Sequence, residues 1–316
     1  LGQEALMQLK HAIAGYWLEN QSRLSPATVV SYQWAFSLLC DFVGAERDVR
    51  QITSDDIRRF LTHLKDDLEL SGKSRSNVWI VLSSFWSWAE REPVLQLKHI
   101  IRGVVQQPKY TQKKIVPYTQ AEVMAMVEAC GHQAGWTTRR GNVVHAVRDT
   151  ALRDRAILIL LVDTGLRASE LCNLKIGDYN PDSGAIDVTG KGDKERTVIA
   201  GVNARKALWR YLAGRPGAMV DDPLFASRSG LHLQKDNLRH LVQRVAERTG
   251  VKGATLHRFR HTFAINFLRN GGNVIELKRL LGHEQMETVT IYVDLAQADL
   301  AEAQRRASPA DNWRLK

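Results

Sequence analysis

Between Ser25 and Gly44 the apolar residues recur in helical rhythm. Val29, Tyr32, Phe36, Leu39 and Val43 fall three or four positions apart, along one side of a helix. Ser25-Pro26 opens it, because a serine oxygen accepts from the free amides of a first turn and proline lacks only an amide that would go unpaired there. Thr53-Ser54-Asp55-Asp56 opens a second helix, with Ile57, Phe60, Leu61 and Leu64 on one face. Ser71-Gly72-Lys73-Ser74 opens a third, with Val78, Val81, Leu82, Phe85 and Trp88. The pattern predicts a helical first domain over residues 1–106. Trp79, Trp86 and Trp88 belong to the third helix; rings of this kind stack on bases, but at helical spacing they are expected in the core.

The rhythm lapses in GVVQQPKYTQKKIVP, which is polar, basic and bounded by Gly and Pro, and residues 107–117 read as an exposed linker. Thr119-Gln-Ala-Glu122 is a capping box ahead of Val123, Met126 and Val127, and it opens a second domain over 118–316. Residues 131–152 lack clean periodicity and are expected to form a loop or irregular insertion. The uninterrupted apolar run 156–162 predicts a buried helix. Short β-prone runs at 185–188 and 196–199 flank the turn-rich TGKGDKE, which predicts a hairpin. Further helices fit 203–213, 235–249, 258–270, 274–281 and 285–292. An amphipathic segment over 296–307 precedes Ser308-Pro309 and a polar tail. The expected fold is mostly α with a small β-hairpin, a helical domain followed by a mixed α+β domain.

Composition agrees with two packed domains. The 316 residues are 44% hydrophobic and 25% charged, which excludes wholesale disorder and removes any need for a disulfide or metal staple. The run 156–162 is the longest uncharged apolar stretch, far short of the ~18 residues of a membrane span. The opening LGQEALMQLKHAIAGYW carries an acid and no secretory h-region. A cytoplasmic protein without a membrane partner is expected. Cys40, Cys130 and Cys172 form no C-x-x-C pair and fit no metal template, so they read as small buried thiols.

Charge adds a partner. The net charge is +10, with almost all the excess beyond residue 110. In addition, the window 71–115 sets Lys73, Arg75, Lys113, Lys114 and further cations against only Glu90 and Glu92. Such an excess, with no membrane segment, suggests a polyanion, nucleic acid first.

Several ionisable residues stand in unusual settings. Arg167 follows the apolar helix in DTGLR, where Gly165 permits a sharp turn. Lys191 lies between Gly190 and Gly192 at the hairpin tip, with Lys194 and Arg196 beyond it. The tip lacks the full spacing of a nucleotide-binding phosphate loop, and a strand rather than a helix follows it. His257 and Arg260, three apart, face one way on a helix, and His261 follows Arg260. The His257–His261 pair lacks the glutamate and third ligand of a zinc site, so no metal is expected. His283 follows a helix-ending Gly282, and Tyr292 comes nine residues later. Cations and one phenol, with no obligatory carboxylate, suit transesterification of a phosphodiester. Arginines neutralise charge building on the phosphate oxygens, an imidazole assists the phenol proton, and a lysine protonates the departing sugar oxygen.

TGLRASEL, GKGDKERTV, LHRFRHTFA and LLGHEQMETVTIYVD, in this order and spacing, resemble the tyrosine recombinase family of phage-type, Xer-like integrases across 117–300. SPATVVSYQWAFSLLCDFVG resembles that family's core-binding domain. The resemblance implies a helical core-binding domain and a mixed catalytic domain that together clamp duplex DNA. It implies that Arg167 and Arg260 bind the scissile phosphate, Lys191 is the general acid and His257 an acid/base partner. His283 would orient the phosphate, and Tyr292 would attack to give a 3′-phosphotyrosyl bond and a free 5′-hydroxyl. Exchange through a Holliday junction would then need neither ATP nor metal nor other cofactor. The expected partners are double-stranded DNA bearing recombination sites and three further copies of the chain in a homotetramer on DNA, assembled through the segment from about 295 to 316. An accessory directionality factor is compatible with this reading, as are a mobile-element setting and residence on a bacterial or archaeal nucleoid. Lys73, Arg75, Lys113, Lys114, Lys194 and Arg196 are the expected DNA-binding residues. The insertion at 131–152 departs from compact chromosome-resolving members. Two alternatives use the same residues: DNA relaxation of the type IB topoisomerase kind, and DNA binding without catalysis.

Overall fold

The computed structural model describes residues 6–111, 115–131, 136–137, 143–144, 150–190, 194–282, 287–296, 304 and 308–313. The chain divides into two compact units, Leu1–Lys113 and Lys114–Lys316.

The first unit is helical: α1 (Leu9–Asn20), α2 (Pro26–Val43), α3 (Ser54–Asp66) and α4 (Gly72–Ala89). The capping signals act as their chemistry requires. Thr28 N donates to Ser25 Oγ at the start of α2. At α3, Thr53 N donates to Asp56 Oδ2 and Asp56 N to Thr53 Oγ1. The apolar faces meet in a core containing Phe36, Leu39, Phe60, Leu64, Leu82 and Phe85. Trp86 and Trp88 are buried in it, and Trp79 Nε1 donates to Val105 O, so all three indoles serve the fold. The start of the expected linker is tied to this unit. Gln107 Nε2 donates to Ser76 Oγ, and Lys73 Nζ reaches Tyr110 Oη at 2.8 Å.

The second unit begins with α5 (Gln120–Ala129), whose predicted capping box forms between Thr119 and Glu122. Within the expected insertion, β1 (Trp136–Thr137) pairs antiparallel with β2 (Val143–Val144); most of that stretch lies outside the described residues. Then come α6 (Ala151–Thr164), α7 (Ala168–Asn173), β3 (Ala185–Thr189) and β4 (Glu195–Ile199). They are followed by α8 (Val202–Leu212), α9 (Lys235–Thr249), α10 (Leu256–Arg269), α11 (Val274–Leu281) and α12 (Glu287–Ala296). The predicted hairpin forms, antiparallel, with Ala185 opposite Ile199 and Thr189 opposite Glu195. α6 is its centre: Ala156, Ile157, Leu158, Leu160 and Leu161 are all fully buried. A separate cluster joins Ala264 and Ile265 of α10, Leu277 and Leu281 of α11, and Val289 and Tyr292 of α12.

Helix boundaries differ from the sequence reading: α6 already begins at Ala151, inside the expected irregular stretch, and two differences fall near the C-terminus. α12 runs on through Leu295, which packs against that cluster, so the first residues of the expected exchange segment continue the Tyr292 helix. Pro309–Asn312 forms a helical turn rather than a plain tail, because proline suits a first helical position. The segment 297–303 lies outside the described residues. Cys130 and Cys172 are buried and Cys40 partly so, and no disulfide joins them. No helix among the described residues is long and apolar enough to cross a membrane.

Candidate active site

Three arginines converge on one helix end. α6 stops at Gly165 and α11 at Gly282, both left-handed with φ of 63°. The first position requires glycine for space as well, since a Cβ there would stand 2.4 Å from Phe263 Cδ1. These turns present the last carbonyls of both helices to the interior. Arg260, 2% exposed, donates Nη1 to Gly165 O at 2.8 Å and Nη2 to Leu281 O at 2.6 Å. Arg196 Nε donates to Leu280 O at 2.7 Å, and Arg167 Nη2 to Gly282 O at 3.4 Å. Leu280, Leu281 and Gly282 thus each hold one guanidinium. A helix C-terminus carries partial negative charge and favours cations. Carbonyl dipoles therefore hold Arg260 without cancelling its charge. Burial, then repulsion from Arg167, lowers its pKa to about 10, which leaves it charged at neutral pH.

Glu170 joins two of these cations. Its buried carboxylate accepts from Arg196 Nη1 and Nη2, and from both Nη1 and the backbone N of Arg167, each at 2.8 Å. Burial raises the acid's pKa, but the hydrogen bonds from Arg196 and Arg167 outweigh it and bring it to about 2. Arg167 itself sits just before α7, as the Gly165 turn implied, with its side chain 34% exposed.

Tyr292 is buried, on the face of α12 that Val289 shares, and packs on α10. Its Oη and His261 Nδ1 are hydrogen-bonded at 2.9 Å. His257 lies one turn earlier on α10, its ring edge-on to that of His261 with centroids 4.5 Å apart. Burial raises the phenol's pKa, while the charges of Arg260 and Arg167 oppose that rise. Burial and the same two arginines lower His257. His261 falls to about 4 through burial, His257 and Arg260. The unit therefore sets a phenol and two neutral imidazoles beside permanent cations.

Of the expected residues, Arg167, Arg260, His257 and Tyr292 come together here. Lys191, His283, Lys113 and Lys114 lie outside the described residues. Lys194 is exposed at the turn end of the hairpin, just before β4, and Lys73 is exposed in the first turn of α4. Arg75, also in that turn, has a buried Nε without a hydrogen-bond partner among the described residues. Arg196 corrects its expected place on the DNA. Only 11% of its side chain is exposed, and the guanidinium is spent on Glu170 and Leu280. The residues the sequence reading passed over are Glu170 and His261. Each had a signal: an acid three after Arg167 at a helix start, and an imidazole one turn beyond His257. Among the described residues, no three His, Cys, Asp or Glu side chains cluster to hold a metal.

Known proteins resemble this chain in sequence and in fold. The Phage integrase family matches residues 141–299, and the family described as Phage integrase, N-terminal SAM-like domain, matches 14–93. Tyrosine recombinase XerC of Corynebacterium glutamicum is 32% identical, over 90% of this chain and 87% of its own. The XerC of Oceanobacillus iheyensis is 30% identical over 94% of both chains. In fold, the chain is similar to XerH site-specific recombinase, crystallised in a post-cleavage complex with palindromic difH substrate. That match has a TM-score of 0.68 at 22% identity, covering 90% of this chain and 80% of the other. With its catalytic part matched across half of its length and full-length relatives at this identity, the chain belongs to the phage integrase family of tyrosine recombinases.

Proposed function

We propose that this protein is a site-specific recombinase that cuts and rejoins duplex DNA with Tyr292 as nucleophile. The observation that carries the reading is the Tyr292 hydroxyl, held against His261 in a unit where Arg167 and Arg260 both bear on its charge. A phenol is a poor nucleophile at its ordinary pKa of ~10, and neighbouring cations favour the phenolate that forms as the proton leaves. The two arginines neutralise charge on the non-bridging oxygens as the phosphorane forms. Tyr292 displaces the 5′ oxygen and leaves a 3′-phosphotyrosyl bond. Lys191 donates the proton that the leaving 5′ oxygen needs, His257 serves as acid/base partner, and His283 orients the phosphate. A 5′-hydroxyl from the partner strand reverses the step, so bond energy is conserved without ATP.

Each chain offers one such nucleophile, and exchange between two duplexes requires four cleavages, so four copies act together on paired sites. Ala296, Leu300, Ala303 and Ala307 give the segment after Tyr292 a small apolar face suited to a neighbouring copy. The helical unit and the linker bind phosphates through Lys73, Arg75, Lys113 and Lys114, and the hairpin adds Lys194. The excess of cations supports a seat with the chromosome in the cytoplasm, in chromosome resolution or on a mobile element, with a directionality factor where one direction is favoured.

Covalent capture tests the reading. The protein is incubated with fragmented genomic DNA of its source in EDTA, and SDS-resistant adducts are sequenced. One short enriched sequence, joined through the protein, supports site-specific recombination without metal. Uniform recovery of all sequences would indicate topoisomerase-like action, and no adduct would indicate binding alone.

A further inference from the structure

His261 has no role in the reaction steps above, yet among the described residues its side chain is hydrogen-bonded to the nucleophile. Its Nδ1 lies 2.9 Å from Tyr292 Oη. Tyr292 is 4% exposed, so its hydroxyl is withdrawn from water and takes its partner from the protein. His257, four residues earlier on the same helix, has its ring edge to face with that of His261. His261, Ala264, Ile265 and Leu268 form one stripe along α10, and the last three bear on the cluster that contains Tyr292 and Val289. The imidazole is therefore fixed by the same helix face that fixes the tyrosine ring. A neutral imidazole carries one unprotonated nitrogen able to accept, whereas an imidazolium carries none. The burial and cationic surroundings of this ring keep it neutral at physiological pH.

We propose that His261 is the positioning residue of the nucleophile: its Nδ1 accepts the hydroxyl hydrogen of Tyr292 and fixes where Oη points. This rests on Tyr292 being the attacking group. A phenol ring on a helix retains freedom about its side-chain torsions, and near-attack geometry is lost with a displacement of about 1 Å, at a cost of roughly 100-fold in rate. One directed hydrogen bond removes that freedom.

The test measures single-turnover formation of the protein–DNA adduct on a nicked suicide duplex carrying the captured site. His261→Phe keeps a ring but removes Nδ1. His261→Asn places an amide oxygen near the Nδ1 position, and His261→Gln moves it one bond further away. The expected results are a rate roughly 100-fold lower for Phe and Gln, and recovery to within about tenfold of the unsubstituted protein for Asn. DNA affinity by gel shift stays unchanged for all three. A 5′-bridging phosphorothiolate, whose leaving group needs no proton, gives no rescue, because the defect lies on the nucleophile's side. Equal rates for Asn and Gln, a normal rate for Phe, or rescue by the thiolate would each overturn the assignment. The Asn–Gln contrast decides the matter even if Phe disturbs the fold. An adduct formed by Tyr292→Phe would instead overturn the nucleophile assignment, and this inference with it.

Discussion

Glu170 grips Arg196 with both carboxylate oxygens, Nη1 on Oε1 and Nη2 on Oε2, at 2.8 Å each. The same carboxylate holds Arg167 directly, so one buried acid fixes Arg196 and the proposed phosphate-binding arginine together. Its pKa is depressed from 4.5 to about 2. A carboxyl with a lowered folded-state pKa adds stability above its unfolded value, and loses it as pH falls toward the folded value. Glu170→Gln leaves two arginines without their anion and should cost about 3 kcal/mol at pH 7. Thermal melts should show the two proteins well separated at pH 7 and converging between pH 4.5 and about 2. An unchanged gap across that window would contradict the ionised bridge.

Gly165→Ala should be destabilising. The left-handed backbone alone costs about 1–2 kcal/mol for a residue with a Cβ, and the methyl would collide with Phe263. Relief of that clash moves Gly165 O, which holds Arg260. The expected outcome is a lower melting temperature together with slower cleavage. Cleavage at the normal rate in a destabilised variant would show that Arg260 does not depend on this carbonyl.

Lys191, rather than Lys194, is the proposed general acid. A substrate with a 5′-bridging phosphorothiolate should restore cleavage by Lys191→Ala and give little help to Arg167→Ala, whose defect is one of charge on the phosphate. Rescue of Lys194→Ala in place of Lys191→Ala would reject the assignment.

Affinity for DNA should be largely electrostatic. Binding a phosphate releases its condensed counterions, so each cation removed from the DNA lowers the slope of log K against log salt by about 0.9. Lys73→Glu and Arg75→Glu in the full chain should flatten that dependence. Unchanged slopes would make the first turn of α4 a solvated face.

Helices α2, α3, α4 and α5 were legible because each pairs an apolar stripe with its own side-chain cap, whereas α1, which has no side-chain cap, and the short α7 were not singled out. The hairpin was legible because β-prone runs flank a glycine-rich turn. Arg167 and Arg260 were singled out from their motifs, and their charges bear on Tyr292, but what holds them was not legible. Three successive carbonyls of α11 gripping three arginines depend on two left-handed helix ends meeting in space, and no spacing encodes that. Glu170 passed for an ordinary acid in a first helical turn. Arg196 was misread although the strand gave a hint: it is two residues from the buried Val198 and so shares its inward face. His261 was considered only as half of a zinc pair. Its partner is a phenol 31 positions away, found only by the packing of α12 on α10.

Tyr292→Phe on a nicked suicide duplex of the captured site is the most direct measurement. The substitution removes one hydroxyl and one hydrogen bond, a loss of about 1 kcal/mol in stability, so fold and DNA binding should persist. The unsubstituted protein should accumulate an SDS-resistant adduct in EDTA, and Tyr292→Phe should form none. An adduct of normal yield from Tyr292→Phe would contradict the account at its centre.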